Sequence, residues 1–271
     1  LRVLGGEIAG RMAARLDFVR LTPRTILDAG CGLAPEQRLF AERYPGARVI
    51  GVDSSIAALR NVHRRESLWQ KSLRAMGRGG VQCVGSDLGS LALADSSIDL
   101  IWSNLALASA SDEAAVLKEF YRVLGNGGLL MFSTYGPDTL RELRAAFAAV
   151  GEHRRVHEFT DMHDIGDMLV SGGFADPVMD MDKLVYTYGD VDSLIRDLRN
   201  SGQTNAMPAR RRGLMGRAAW KSMIQAYPRR QEDGRIQATM EIVYGHAWKI
   251  GATPRESRSN KGVAAVRWYA H

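Results

Sequence analysis

The chain reads as an α/β protein built on a parallel sheet with helices on both faces, and three observations predict this. Between residues 25 and 135 short apolar runs alternate with longer amphipathic ones. The first run, Thr25–Asp28, ends in a glycine-rich turn that leads into a helix. The second run, Arg48–Asp53, ends in a carboxylate where the next helix begins.

The elements follow in order. Pro35 to Arg43 suits a helix with proline in its first turn. Ser54 or Ser55 can cap the helix through Ala57, Ala58 and Leu59. Val81–Val84 and Ile98–Trp102 are the third and fourth strands, and Asp112 can cap a helix through Leu117, Phe120 and Leu124. Gly127-Gly128 turns into a fifth strand, Leu129–Ser133. Beyond residue 136 the rhythm changes: Asp164–Ser171 is expected to be helical, while Val178–Tyr188 and Thr239–Trp248 are expected to be strands. Residues 1–271 are expected to form one domain. In it 25–135 is the ligand-binding core, 136–160 and 189–236 are inserted helical cover, and 250–271 is a mobile tail.

Composition is that of an ordinary globular protein: 271 residues, 45% hydrophobic and 24% charged, enough to bury a substantial core. Cys31 and Cys83 are the only cysteines, which fits a reduced cytoplasm better than a disulfide framework. No apolar run is long enough to cross a bilayer and no signal-peptide pattern is present. The chain opens on Leu1, so a preceding segment is expected. The net charge of +6 favours acidic partners without choosing among nucleic acid, anionic lipid and protein.

The strongest local signal is Asp28-Ala29-Gly30-Cys31-Gly32-Leu33-Ala34, between a strand and a helix. Glycines there let the backbone approach a ligand at the carboxyl end of the sheet, and Asp53 is placed to accept from two ribose hydroxyls. A dinucleotide fingerprint would carry a third glycine at position 35, where Pro35 stands. Asp28 would repel a pyrophosphate but suits the ammonium group of a methionine moiety, and Asp87 is placed to accept from an adenine amino group.

These residues and the strand Ile98-Asp99-Leu100-Ile101-Trp102 resemble the class I S-adenosylmethionine-dependent methyltransferases. Four further segments are similar to the BioC-type malonyl-acyl-carrier-protein O-methyltransferases of biotin synthesis. They are Trp102–Leu107, Phe132–Leu140, Asp161–Asp167 and, with Asn205-Ala206, Tyr244–Lys249. The likeness spans roughly residues 7–250. It implies a Rossmann-like seven-stranded, mostly parallel sheet with the last strand antiparallel. It also implies methyl transfer from S-adenosylmethionine to the free carboxylate of a malonyl thioester. By position, Asp28, Gly30 and Gly32 would face the methionine end, and Asp53 with Ser54 the ribose. Asp87 with Leu88 would face the adenine, and Asn104 the floor near the reacting methyl. Three departures from the family pattern stand out. Ala34 replaces a glycine, Ala108-Ser109 replace glutamine and tryptophan and so remove an aromatic wall, and the chain begins near the end of a segment that helps close the site.

A malonyl carboxylate is ionised at pH 7, so the reaction needs alignment and desolvation rather than a general base. An arginine in the cover is expected to pair with that carboxylate bidentately, with Arg141, Arg144 and Arg199 as candidates. The acyl carrier, a protein or coenzyme A, stays open, and Arg210, Arg211, Arg212 and Arg217 are expected to dock an acidic carrier protein. His157, His163 and His246 lack metal-ligand spacing, and Trp102, Met179 and Met181 read as core. Two other readings stay open. One is a catalytically weakened relative of the mitochondrial complex I assembly factor. The other is a nucleic-acid methyltransferase, against which Ser103-Asn104-Leu105-Ala106 lacks the proline-aromatic pair that grips a flipped base.

Overall fold

The computed structural model describes residues 2–65, 82–200, 205, 213 and 215–251. Its strands are β1 (Thr25–Ala29), β2 (Arg48–Asp53), β3 (Gln82–Gly85), β4 (Ile98–Asn104), β5 (Leu124–Tyr135), β6 (Ala175–Tyr188) and β7 (Ile236–Lys249). They form one seven-stranded sheet in the order β3-β2-β1-β4-β5-β7-β6. The pairs among β1 to β5 are parallel, and β7 runs antiparallel to both β5 and β6. This is the Rossmann-like sheet expected above.

The central strands alternate between two cores, as a period of two requires. Ile26, Leu100, Trp102 and Met131 face one side, while Leu27, Ile101, Leu130 and Phe132 face the other. Since both faces are covered, these strands read as unbroken apolar runs.

The helices are α1 (Arg2–Arg15), α2 (Gln37–Arg43), α3 (Ile56–Arg65), α4 (Glu113–Val123), α5 (Arg141–Ala148), α6 (Met162–Ser171), α7 (Val191–Asn200) and α8 (Arg217–Ala226). Two expected caps form: Ser55 Oγ accepts from the Ala58 amide at 3.3 Å and Asp112 Oδ1 from the Ala115 amide at 2.9 Å. Helix α1 is an element the sequence reading passed over. Leu4, Ile8, Met12 and Leu16 recur every fourth residue and are buried against the Ile26–Trp102 face. Gly5, Gly6 and Gly10 each cost about 1 kcal/mol relative to alanine in a helix, so docking and not propensity holds α1.

Residues 136–160 and 189–236 supply α5, α7 and α8, whose Leu143, Phe147, Leu194, Leu198 and Met223 join the same core. Met181, expected in the core, is instead 43% exposed. It lies on β6, one of the two edge strands, which has a neighbouring strand on one flank only. The expected tail beyond Gly251, like Arg210, Arg211 and Arg212, lies outside the described residues. Among the described residues no helix is long and apolar enough to cross a membrane.

Candidate functional site

The sheet order places β2 on one side of β1 and β4 on the other, so the chain leaves β1 at a topological switch point with a crevice at the strands' carboxyl ends. The Asp28–Ala34 loop lines it. Gly30 and Gly32 sit at φ +78° and +52°, where side chains are disfavoured. A Cβ at Gly30 would lie 2.2 Å from Ala106 Cβ, so this glycine lets the loop close against the turn after β4. The Gly30 and Cys31 amides donate to the Val52 carbonyl at 2.7 and 3.0 Å.

Asp53 is clamped at the end of β2. Its Oδ2 accepts from the Gly32 amide at 2.8 Å and its Oδ1 from the Ser55 amide at 2.7 Å. The remaining lone pairs are free to accept from a ligand's hydroxyls. Asp53→Ala is expected to weaken S-adenosylmethionine binding by about 1–3 kcal/mol, roughly 5- to 150-fold, because the ribose loses its acceptor and the loop its tether. Calorimetric titration checks this; unchanged affinity would remove Asp53 from the ribose role.

Asp28, Glu36 and Asn104 come together where β1 and β4 end. Asp28 is 2% exposed, and its Oδ2 is buried with no hydrogen-bond partner among the described residues. Burial, reinforced by the nearby Glu36, Cys83 and Asp53, pushes its carboxyl well above the ordinary range. Glu36 is also buried, and desolvation raises its carboxyl against the Asn104 hydrogen bond that lowers it. Asn104 Nδ2 donates to Glu36 Oε1 and to the Gly5 carbonyl of α1, both at 3.0 Å, and its Oδ1 accepts from Ser133 Oγ at 3.0 Å. Leu105, at φ +60°, turns the chain sharply out of β4 beside it. Two desolvated carboxyls with an unfilled acceptor suit a cationic amine, so the residues present fit the methionine end of S-adenosylmethionine. Glu36 was missed because it follows the glycine motif at a helix start, where an acidic residue reads as ordinary helix-start chemistry. Asp87 is exposed with Leu88 half-buried beside it, and Asp87 Oδ1 accepts from the Gly89 amide at 2.8 Å; Ser54 is exposed.

Ala34 adopts φ +51°, the conformation in which its side chain carries a penalty of about 1–2 kcal/mol. Its methyl group packs with Cys31, Leu59 and Val62, so it fills a small apolar cluster. Ala34→Gly relieves the strain but gives up roughly 0.8 kcal/mol of buried methyl and some chain entropy. Its unfolding free energy is therefore expected to stay within about 0.5 kcal/mol of wild type, with unchanged cofactor affinity. Tighter binding in titration would show that the methyl crowds the ligand.

Beyond the carboxyl ends of β4 and β5 lies a cavity of about 450 Å³. Ala108 and Ser109 form part of its wall, and Tyr135, Phe147, Phe159 and Trp220 supply the aromatic surface. The Tyr135 and Phe159 rings are 5.2 Å apart, and His157 stacks on Phe159 at 4.7 Å. Burial holds the His157 imidazole below its usual range, so it is neutral at pH 7. Aromatic side chains from other elements thus line the same cavity as Ala108 and Ser109.

Of the arginine candidates, Arg199 lines this cavity from the last turn of α7 and is exposed. Arg141 pairs with Asp138 and Glu142 away from it. Arg144 donates to the carbonyls of Pro137, Thr139 and His157 and so braces the loop after β5. The structure adds Arg155, which lines the cavity. An Arg154-Arg155 pair in a polar stretch does not tell from sequence which of the two faces a cavity. Arg217 is exposed at the start of α8.

Residues 27–132 match the family model described as a methyltransferase domain. The chain is 46% identical to the malonyl-[acyl-carrier protein] O-methyltransferase of Gallionella capsiferriformans, over 96% of this chain and 88% of that protein. It is also 46% identical to the protein of the same name from Laribacter hongkongensis, over 99% of this chain and 90% of the relative. Among solved structures, the YcgJ protein of Bacillus subtilis superposes with a TM-score of 0.63, at 15% identity over 91% of this chain and 100% of that one, which speaks to the fold. With this identity along nearly its whole length, the chain belongs to the malonyl-[acyl-carrier protein] O-methyltransferase family.

Proposed function

We propose that the chain methylates the free carboxylate of malonyl-acyl-carrier-protein in biotin precursor synthesis, using S-adenosylmethionine as methyl donor. The observation that carries the reading is the juxtaposition of an acid-lined crevice, built from Asp28, Glu36, Asp53 and Asn104, with an aromatic-walled cavity beyond the same strand ends. S-adenosylmethionine supplies an electrophilic methyl group. Asp28 and Glu36 hold the amine end, with Gly30 and Gly32 giving it room. Asp53 with Ser54 holds the ribose, Asp87 with Leu88 the adenine, and Asn104 floors the reacting region.

The substrate carboxylate is already ionised, so no residue has to remove a proton. The cavity's aromatic wall offers the carboxylate an apolar setting, and a nucleophile stripped of its hydration shell and held in line needs less reorganisation to react. When bound, S-adenosylmethionine would give its methyl group to a carboxylate oxygen and keep the electron pair of the broken C–S bond on sulfur. No proton moves.

An acidic carrier protein is proposed to dock through Arg210, Arg211, Arg212 and Arg217. Arg217 supports the reading only in being exposed in the first turn of α8, open to an acidic partner. The weakened-relative reading loses its main support, since the Ala34 methyl is accommodated among Cys31, Leu59 and Val62. The two thiols suit a cytoplasmic setting.

The test is transfer of a labelled methyl group to malonyl-acyl-carrier-protein. A base-labile methyl ester on the malonyl group is expected. No ester on this substrate, or equal labelling of RNA, would overturn the proposal.

A further inference from the structure

Arg155 sits in the cavity wall with its side chain 16% exposed. Its Nε donates to Glu152 Oε2 at 2.9 Å and its Nη1 to the Gly213 carbonyl at 2.8 Å. Its Nη2 is buried and has no hydrogen-bond partner among the described residues. A charged donor left unpaired in a low-dielectric wall is costly, and the cost is recovered when an acceptor arrives. Arg144, whose Nε is likewise buried without a partner, does not line the cavity, and Arg199 is exposed to screening solvent. With His157 neutral, Arg155 is, among the described residues that line the cavity, the largely buried cation that can meet an anion.

We propose that Arg155 binds the substrate's free carboxylate through Nη2 and thereby makes the cavity select acyl groups ending in a carboxylate over neutral ones. This rests on the methyl-transfer reading above. The Nε donor and one of the two Nη1 donors are already engaged, so the donors left for the carboxylate are the two on Nη2 and the second on Nη1. A carboxylate offers about four lone-pair sites, so one held by Nη2 still has lone pairs for attack. Glu152 beside the guanidinium softens its pull on the carboxylate's electrons. Once esterified, the substrate carries no charge, and Arg155 no longer favours it over water, which promotes product release.

The test titrates malonyl- and acetyl-acyl-carrier-protein, which share one docking surface, into the wild-type chain and into Arg155→Ala and Arg155→Lys. Wild type is expected to bind the malonyl form at least ten times more tightly than the acetyl form. Arg155→Ala should bring the two together by weakening malonyl binding alone. Its S-adenosylmethionine affinity should be unchanged, and KM for malonyl-acyl-carrier-protein should rise more than kcat falls. Millimolar methylguanidinium should restore part of the lost turnover, which a merely structural arginine would not allow. Arg155→Lys is expected to retain part of the discrimination. Where loss of the Glu152 partner prevents folding, the double variant Glu152→Gln with Arg155→Gln removes both charges and is read in the same way. Equal affinity of wild type for the two forms, or discrimination that survives in a folded variant, overturns the assignment of Arg155. A wild-type chain that prefers the malonyl form but transfers no methyl group to it overturns the methyl-transfer reading instead, because binding and transfer are read separately.

Discussion

Asp28→Asn is expected to make the apoprotein more stable and the enzyme nearly unable to hold its cofactor. The carboxyl of Asp28 is buried, one of its oxygens has no partner, and Glu36 lies close enough to raise it further. At neutral pH an amide there removes a desolvated acid, which is expected to stabilise the fold by about 1–2 kcal/mol. Binding moves the other way. Removing one member of a buried charge pair costs about 2–4 kcal/mol, so affinity for S-adenosylmethionine should fall roughly 30- to 1000-fold.

The pH dependence gives a separate readout. The folded-state carboxyl holds its proton more tightly than the unfolded chain does, whose aspartates titrate near 3.9. Wild-type apoprotein therefore loses stability as pH rises from the ordinary carboxylate range through the raised value. Cofactor affinity rises over the same window, because binding an ammonium group there releases the proton. The Asn variant should show a shallower loss, with the part due to Glu36 remaining. Urea unfolding and calorimetry at several pH values measure both quantities. An Asn variant with wild-type affinity would place the ammonium elsewhere.

Gly30→Ala should be the most damaging single methyl group in the chain's binding loop. It meets two costs at once: φ +78° for a side-chain-bearing residue and a Cβ 2.2 Å from Ala106 Cβ. Together these amount to about 2–5 kcal/mol. Either the protein loses that stability, or the loop shifts, drawing Gly32 off Asp53 and abolishing cofactor binding. Ala106→Gly in the same chain removes the clash but not the backbone strain, so the double variant should recover part of the loss. A double-mutant cycle measures this recovery, and strict additivity would mean that the two residues do not touch.

Legibility followed the range of the interaction. The Asp28–Ala34 loop and Asp53 were readable because strand, turn and helix start are neighbours in sequence, and each leaves its own residue signature. The caps at Ser55 and Asp112 were readable for the same reason. Helix α1 was legible in principle through Leu4, Ile8, Met12 and Leu16, but its glycines masked the pattern. The edge position of β6, which leaves Met181 exposed, was not, because local alternation does not say which strand lies outermost.

By itself the sequence determined the α/β class, the strand succession, the glycine-rich loop after β1 and, through resemblance, the family. These rest on backbone conformation and burial periodicity, which are properties of a few adjacent residues. The tertiary structure alone decided which groups meet. It brought Glu36 to Asn104 and the Gly5 carbonyl to the same amide, and it turned the Ala34 methyl into a small apolar cluster. It also sorted the arginines, spending Arg144 on carbonyls and setting Arg155 in the cavity wall. The physical reason is that charge and desolvation act through space. Whether a guanidinium braces a loop or waits for an anion depends on acceptors and water around it, and residues distant along the chain supply both.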